Sequence, residues 1–312
     1  MTLHTRSSTQ SASPTVAPPL SRRKLWFAAI KPPMYSVAVM PIWVGSAAAY
    51  ATTGQLDLPI FFTFLLSAIC ILAWENLSND VFDADTGVDV HKFNSLVNIT
   101  GNQRLIFWIS NALLALGLSG IGAIAVWQQD VTVLGLILLA CAIGYIYQGP
   151  PFRLSYQGLG EILCFIAFGP VAFAAVSYSQ TQSWNVTTFA AGTVVALATS
   201  LILFTSHFNQ VREDAAIGKK SPVVRLGARR AAQLLPWWCG TIYGLTVLFI
   251  ILGIFPVATL LVGVSLPWAR RLCRDIWLHH EQPEKLTFCR LITVTFHFWL
   301  GLMLGVGFFI GY

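Results

Sequence analysis

The sequence predicts an all-α integral membrane protein, and three observations carry that reading. Charged residues make up 10% of the 312 positions and hydrophobic ones 55%, whereas soluble domains carry about 25% charged residues. Mean hydropathy is +0.67. Apolar runs near the ~20 residues that cross a bilayer recur through the chain. There are nine, at about 26–48, 58–77, 105–127, 131–148, 159–179, 186–206, 233–253, 255–273 and 288–310. The expectation is therefore nine transmembrane helices.

Charge placement sets the orientation. All 19 Lys and Arg lie in the N-terminal tail, at the start of the first segment, or in and beside the connections after segments two, four, six and eight. The other connections carry only Asp57 and Asp130 as charges. This is the asymmetry of the positive-inside rule, so the N-terminus and the even-numbered connections are expected on the cytoplasmic side. The net charge of +6 then reflects orientation and attraction to anionic groups, and calls for no nucleic-acid partner.

Residues 1–21 are rich in Ser, Thr and Pro without an apolar core, and read as a disordered tail before one membrane domain over 22–312. The tail lacks the layout of a signal peptide, and its Arg6, Arg22 and Arg23 match a transit peptide only weakly. Six cysteines are scattered without paired spacing, so neither a disulfide framework nor a zinc site follows.

Taken in order, the first segment contains Pro32, Pro33 and Pro41 and is expected to be broken by them. Lys31 sits at its cytoplasmic end. On position alone it is a snorkelling interfacial lysine; it becomes an anion contact if the even-numbered connections form an active-site face. The second segment runs into Ala73–Asp89, a stretch of five carboxylates and two amides. If the helix continues, Asn76, Asn79, Asp80 and Asp83 share one face. Carboxylates gathered on one stripe repel unless a cation lies between them, and hard oxygen ligands at this density suit Mg²⁺. Gly87 is placed to end the helix, with Asp89, His91, Lys92 and Asn94 in a loop beyond.

Segment four ends in Gly149-Pro150-Pro151-Phe152-Arg153, a rigid turn holding Arg153 between aromatics as a candidate phosphate contact. Tyr145 reads as part of an aromatic belt. After segment six, Gln210 and Asp214 are four apart and share a face with His207, with Gly218 at the helix end and Lys219, Lys220 and Arg225 beyond. A lone His207 is more often packed or interfacial than a ligand, and it is not assigned to a metal. Asp83 and Asp214 are 131 residues apart, each after the second helix of a four-helix stretch, which suggests a pseudo-repeat bringing both stripes to one cavity. The basic connection Arg270–Arg290 reads as topogenic or headgroup-binding.

Two carboxylate stripes with Mg²⁺ and surrounding Lys and Arg suit a diphosphate leaving group, whose charge the metal and the fixed cations stabilise. An allylic diphosphate of a lipid fits such a site, with its tail among the helices and an aromatic ring as the attacking partner. A cation or proton transporter is the rival reading, but it needs polar groups toward both faces, and the odd-numbered connections offer almost none.

Asn79-Asp80-x-x-Asp83, together with a second acidic motif after segment six, resembles the UbiA superfamily of intramembrane aromatic prenyltransferases over nearly everything after Trp26. The Asn-Leu-Ser-Asn-Asp-x-x-Asp run and Gly218-Lys219-x-Ser-Pro-x-Val-Arg-Leu-Gly resemble its dihydroxynaphthoate branch. The stretch from Gly149 to Gly158 and Gln210 are most similar to the phytyl-transferring members of cyanobacteria and plastids. The resemblance implies a nine-helix bundle with a cytoplasm-facing cavity, in a bacterial inner or thylakoid membrane. It further implies Mg²⁺-dependent transfer from phytyl diphosphate to 1,4-dihydroxy-2-naphthoate with loss of CO₂. Longer polyprenyl donors and homogentisate or chlorophyllide acceptors are the alternatives. Carried over by position, Asp80, Asp83 and Asp214, helped by Asn76, Asn79 and Gln210, would hold Mg²⁺ and diphosphate. Lys31, Arg153, Lys219 and Arg225 would contact phosphate oxygens or the naphthoate carboxylate. Two positions depart from the pattern: Gly87 and Gln210 stand where many members carry Asp.

Overall fold

The structure, a computed structural model, describes residues 27, 30–86 and 95–311. The tail over 1–21, and Gly87, Asp89, His91, Lys92 and Asn94, lie outside the described residues. Each apolar segment forms a helix, and no strand occurs among the described residues. They are α1 (Pro32–Thr53), α2 (Leu58–Thr86), α3 (Gln103–Gln128), α4 (Thr132–Gln148), α5 (Gly160–Thr181), α6 (Val186–Asn209), α7 (Ala228–Ile251), α8 (Leu266–His279) and α9 (Cys289–Ile310).

Seven of these are long and apolar enough to cross a membrane: α1, α2, α3, α5, α6, α7 and α9. The expectation of nine meets two exceptions. Helix α4 is apolar but only 17 residues long. Helix α8 has 14 residues, carries Arg270, Arg271 and Arg274, and continues from a 3₁₀ stretch over Val257–Ser265. The 3₁₀ stretch rises about 2.0 Å per residue against 1.5 Å in an α-helix, so a short segment gains length.

The prolines of the first segment act differently from expectation. Pro32 and Pro33 begin α1 instead of breaking it, because the first turn leaves its N–H groups unused and a fixed φ suits a helix start. Pro41 lies inside α1. In α5 a single π-type turn at Ala167–Val171 accommodates Pro170, which lacks the donor that an α-turn would need.

Two apolar clusters hold the bundle. One joins α1, α6, α7, α8 and α9, with Val44, Val194, Leu201, Leu235, Leu272, Phe296 and Phe308 sealed inside. The other joins α2, α3 and α4 with Ile42 of α1 and the end of α5, through Phe64, Trp74, Ile121 and Ile137. Lipid is as apolar as leucine, so helix association rests on close packing and interhelical hydrogen bonds. Both are present between α9 and its neighbours. A Cβ on Gly301 would come within 2.7 Å of the Met40 sulfur on α1. Within the core, Thr199 Oγ1 meets His297 Nε2 at 3.1 Å and Thr205 meets Thr293 at 2.9 Å, tying α6 to α9. Trp108, Leu116, Trp237 and Ile251 are exposed on the outer faces. All six cysteines are free.

The Asp and Glu side chains separate to the two ends. At one end Asp57, between α1 and α2, donates its N–H to the Gln180 side chain at 2.9 Å, and the Tyr178 hydroxyl donates to Asp130 at 2.7 Å. At the other end the connections after α2, α4 and α6 meet. That end holds the candidate site.

Candidate active site

Helix α2 runs unbroken through its acidic stretch, as the 3.6-residue reading requires, and places Asn76, Asn79, Asp80 and Asp83 along one side. Asp80 is 1% exposed. Its Oδ1 is 3.2 Å from the Lys31 ammonium, and its Oδ2 accepts the Leu96 backbone N–H at 3.0 Å. Lys31 therefore does not snorkel: its backbone turns through φ +54° just before Pro32, and its side chain is 11% exposed beside Asp80. A buried carboxylate is costly unless it is paired and hydrogen-bonded, and both conditions are met here. Asp85, one turn on, is exposed and accepts the Gln103 amide at 2.6 Å.

The second acidic stretch is not a continuation of α6. The helix ends at Asn209, Gln210 takes φ −105°, and a new short helix covers Val211–Ala216. Asp214 still donates its backbone N–H to the Gln210 carbonyl at 2.8 Å, so the predicted four-residue relation survives in the new helix. Gly218 adopts φ +73°, as expected of a helix end, and the Lys219 N–H returns to the Asp214 carbonyl at 2.9 Å. This tight reversal puts the Lys219 ammonium 3.2 Å from Asp214 Oδ1, while His207 Nδ1 sits 2.8 Å from Oδ2. Burial opposes ionisation of Asp214, but the His207 hydrogen bond and the Lys219 charge outweigh it and hold the carboxyl below its ordinary range.

The turn after α4 joins the two acidic stretches. Gly149 caps α4, Pro150–Pro151 is cis, Arg153 takes φ +44°, and Leu154–Gln157 forms one 3₁₀ turn. The Tyr145 hydroxyl straps this turn by donating to the Pro150 carbonyl at 2.8 Å. The turn presents Tyr156, whose hydroxyl donates to Asp83 Oδ1 at 3.2 Å and whose ring lies 5.7 Å beneath the Lys219 ammonium. Asp83, Tyr156, Lys219 and Asp214 thus form one continuous run of contacts. The Lys220 N–H bonds the Tyr156 carbonyl at 2.8 Å, and the Arg225 guanidinium bonds the Gln157 carbonyl at 3.1 Å. Arg225 is itself exposed and fastens the turn from outside.

Of the residues singled out from sequence, the structure gathers Lys31 with Asp80, and Asp83 with Lys219 and Asp214. Asn79 and Gln210 are half-buried beside these carboxylates in the chain. The Asn76 Nδ2 and the Arg153 Nε are buried donors that no described group satisfies. Among the described residues no three His, Cys, Asp or Glu side chains converge into a ready metal cage. That donor set still fits Mg²⁺, which takes one or two carboxylates and completes its shell with water and substrate phosphate. The nearby lysines and unsatisfied donors fit the anion that such a metal accompanies.

Sequence reasoning missed Tyr156, Glu161 and Glu75, and named His207 without finding its role. Tyr156 was legible only as one of several aromatics in a turn. His207 and Glu161 come from different helices and meet at 3.4 Å. Glu75 lies on the same row of α2 as Asn79 and Asp83, four and eight residues before them. Its backbone carbonyl accepts the Gln148 amide at 3.0 Å, and its carboxylate faces Gly144. The i, i+4, i+8 spacing was the available signal.

Comparison with known proteins finds relatives along nearly the whole chain. The pattern of the UbiA prenyltransferase family matches residues 38–301. The chain is 51% identical to the 2-carboxy-1,4-naphthoquinone phytyltransferase of Synechocystis sp. over 296 residues, covering 95% of this chain and 96% of that one. It is 40% identical to the chloroplastic enzyme of the same description from Arabidopsis thaliana, covering 92% of this chain and 78% of that one. A UbiA homologue from Archaeoglobus fulgidus bound to DMAPP and Mg²⁺ shares the fold at a TM-score of 0.54 and 18% identity, covering 90% of this chain and 99% of that one.

Proposed function

Since the chain belongs to the UbiA prenyltransferase family, we propose that it transfers the phytyl group of phytyl diphosphate to 1,4-dihydroxy-2-naphthoate with loss of CO₂. The Synechocystis and Arabidopsis relatives are described as phytyltransferases acting on the 2-carboxy-1,4-naphthoquinone system, which supports donor and acceptor alike. The observation that carries the reading in this chain is the Tyr156 contact, which draws Asp83 of α2 and Asp214 beyond α6 to one place. We place nine membrane crossings in the bundle, with this end cytoplasmic, in a bacterial inner or thylakoid membrane.

The allylic C–O bond breaks and diphosphate leaves. The ring carbon that bears the carboxylate attacks the allylic carbon, and CO₂ departs without the bonding pair, which restores the aromatic ring. Mg²⁺, when bound, neutralises the leaving diphosphate. Asp80, Asp83 and Asp214, with Asn79 and Gln210 beside them, would hold the metal. Lys31 and Lys219 each balance a carboxylate at 3.2 Å, and each would supply an ammonium to a phosphate oxygen held beside those carboxylates. Asn76 and Arg153 supply donors that need an acceptor.

The test is a membrane assay with Mg²⁺ and the naphthoate, in which phytyl and longer prenyl diphosphates compete and products are weighed. A decarboxylated phytyl adduct is expected. Long-tail adducts alone would keep the mechanism and change the donor; no adduct, with homogentisate and chlorophyllide also supplied, would overturn the proposal. A milder prediction concerns Tyr156→Phe, which loses one hydrogen bond to a charged acceptor, worth about 1.5 kcal/mol, and keeps the ring under Lys219. Its kcat/KM is expected to fall about tenfold. Unchanged steady-state kinetics would show that Asp83 is held by other means.

A further inference from the structure

His207 is 3% exposed in the last turn of α6. The helix stops two residues later. In an unbroken helix His207 and Asp214, seven residues apart, would lie about 10 Å apart along the axis. Because the chain bends at Gln210, Nδ1 instead reaches Asp214 Oδ2 at 2.8 Å. An ionised carboxylate only accepts, so the pairing assigns the proton to Nδ1. On the other side of the ring, Nε2 lies 3.4 Å from Glu161 Oε1, in the first turn of α5. Glu161 is 8% exposed, and its backbone carbonyl accepts the Ser200 hydroxyl of α6 at 3.1 Å. Three chain segments thus converge on one imidazole.

The two oxygens of Asp214 consequently face different partners. His207 holds Oδ2, while Oδ1 faces Lys219, whose ammonium lies over the Tyr156 ring that reaches Asp83 of α2. Nothing in the short Val211–Ala216 helix fixes that carboxylate by itself, because α6 does not continue into it. We propose that His207, backed by Glu161, is a positioning residue that orients Asp214 for the metal-bound diphosphate. The inference rests on the reading of Asp214 as a metal ligand given above. Histidine–carboxylate pairs of this kind around metal ligands typically carry 10–100-fold in metal affinity.

The purified full chain is titrated with Mn²⁺ in the presence of inorganic pyrophosphate, followed by electron paramagnetic resonance, and the Mg²⁺ dependence of turnover is measured in parallel. His207→Phe keeps a ring without a donor, and is expected to raise the Mn²⁺ Kd and the half-saturating Mg²⁺ by about 10–100-fold. The shift in half-saturating Mg²⁺ is expected to exceed any fall in turnover at saturating Mg²⁺. His207→Asn returns an amide donor near the Nδ1 position and is expected to recover most of the affinity. Glu161→Gln is expected to give a smaller shift in the same direction, and carries the test with His207→Asn if the Phe variant does not fold. Wild-type Mn²⁺ affinity in His207→Phe, alongside a loss in Asp214→Asn, would overturn the positioning role alone. Wild-type affinity in Asp214→Asn itself would overturn the metal reading on which it rests.

Discussion

Asp214→Asn is expected to lower turnover by on the order of 10³-fold while the protein still inserts and survives detergent extraction as a folded species. Single preorganised charge-stabilising groups are worth about 10²–10³-fold in rate, and under the proposed function Asp214 would also hold the metal, so the upper end applies. The amide keeps the volume and can still accept from His207 Nδ1. It cannot neutralise Lys219, which then stays bound to whichever anion remains. Because the Lys219 side chain is 16% exposed, it can hydrate instead of destabilising the fold as a sealed charge would. Asp83→Asn is expected to behave alike from the α2 side, since it is the other end of the run through Tyr156. The check is product formation per molecule of monodisperse protein across a Mg²⁺ series. Full activity in either variant at ordinary Mg²⁺ would remove these carboxylates from the chemistry.

How much of this was legible beforehand depends on whether the information is periodic. The helices and the α2 stripe were readable because apolar run length and the 3.6-residue repeat are local properties, and α2 contains no glycine or proline between Ile60 and Thr86 to interrupt them. The Asp214 stretch was readable as a cluster but not as a break. Nothing in Asn209-Gln210-Val211 forbids a helix, and the bend is held by contacts to His207 and Lys219 from outside that tripeptide. Lys31 illustrates the opposite limit. Its partner Asp80 is 49 residues away, and only the packing of α1 on α2 converts an interfacial lysine into half of an ion pair. Arg225 shows that a basic residue in the right connection also serves the fold, since one of its guanidinium N–H groups bonds the Gln157 carbonyl. Likewise the apolar runs mark where helices form, but apolar composition alone did not reveal the 3₁₀ start of the eighth, whose α-helical part carries Arg270, Arg271 and Arg274.

Gly158→Ala is expected to cost about 10²-fold in turnover, although residue 158 carries no functional group. Gly158 ends the turn that presents Tyr156, at φ +81°. A Cβ there meets two obstacles. The left-handed backbone itself costs roughly 1–2 kcal/mol for any residue with a side chain. The added carbon would also run into the Lys220 carbonyl, and would sit 3.3 Å from Arg225 Nε. The carbonyl is backbone, and the Lys220 N–H beside it is bonded to the Tyr156 carbonyl at 2.8 Å. Relief of the clash therefore pulls the Lys219–Lys220 segment away from the turn, and with it the Tyr156 ring away from Lys219 and Asp83. A displacement near 1 Å in a catalytic arrangement costs about 10²-fold. Backbone strain can be separated from undocking with Gly253→Ala in the α7–α8 connection, where φ is +70° but no atom lies within 4 Å of the added carbon. Both variants are expected to lose similar thermal stability from the backbone, and only Gly158→Ala to lose turnover and to need more phytyl diphosphate for half-saturation. Equal activity in the two would mean that the two connections need not be clasped together, and that Tyr156 does not unite the two acidic stretches.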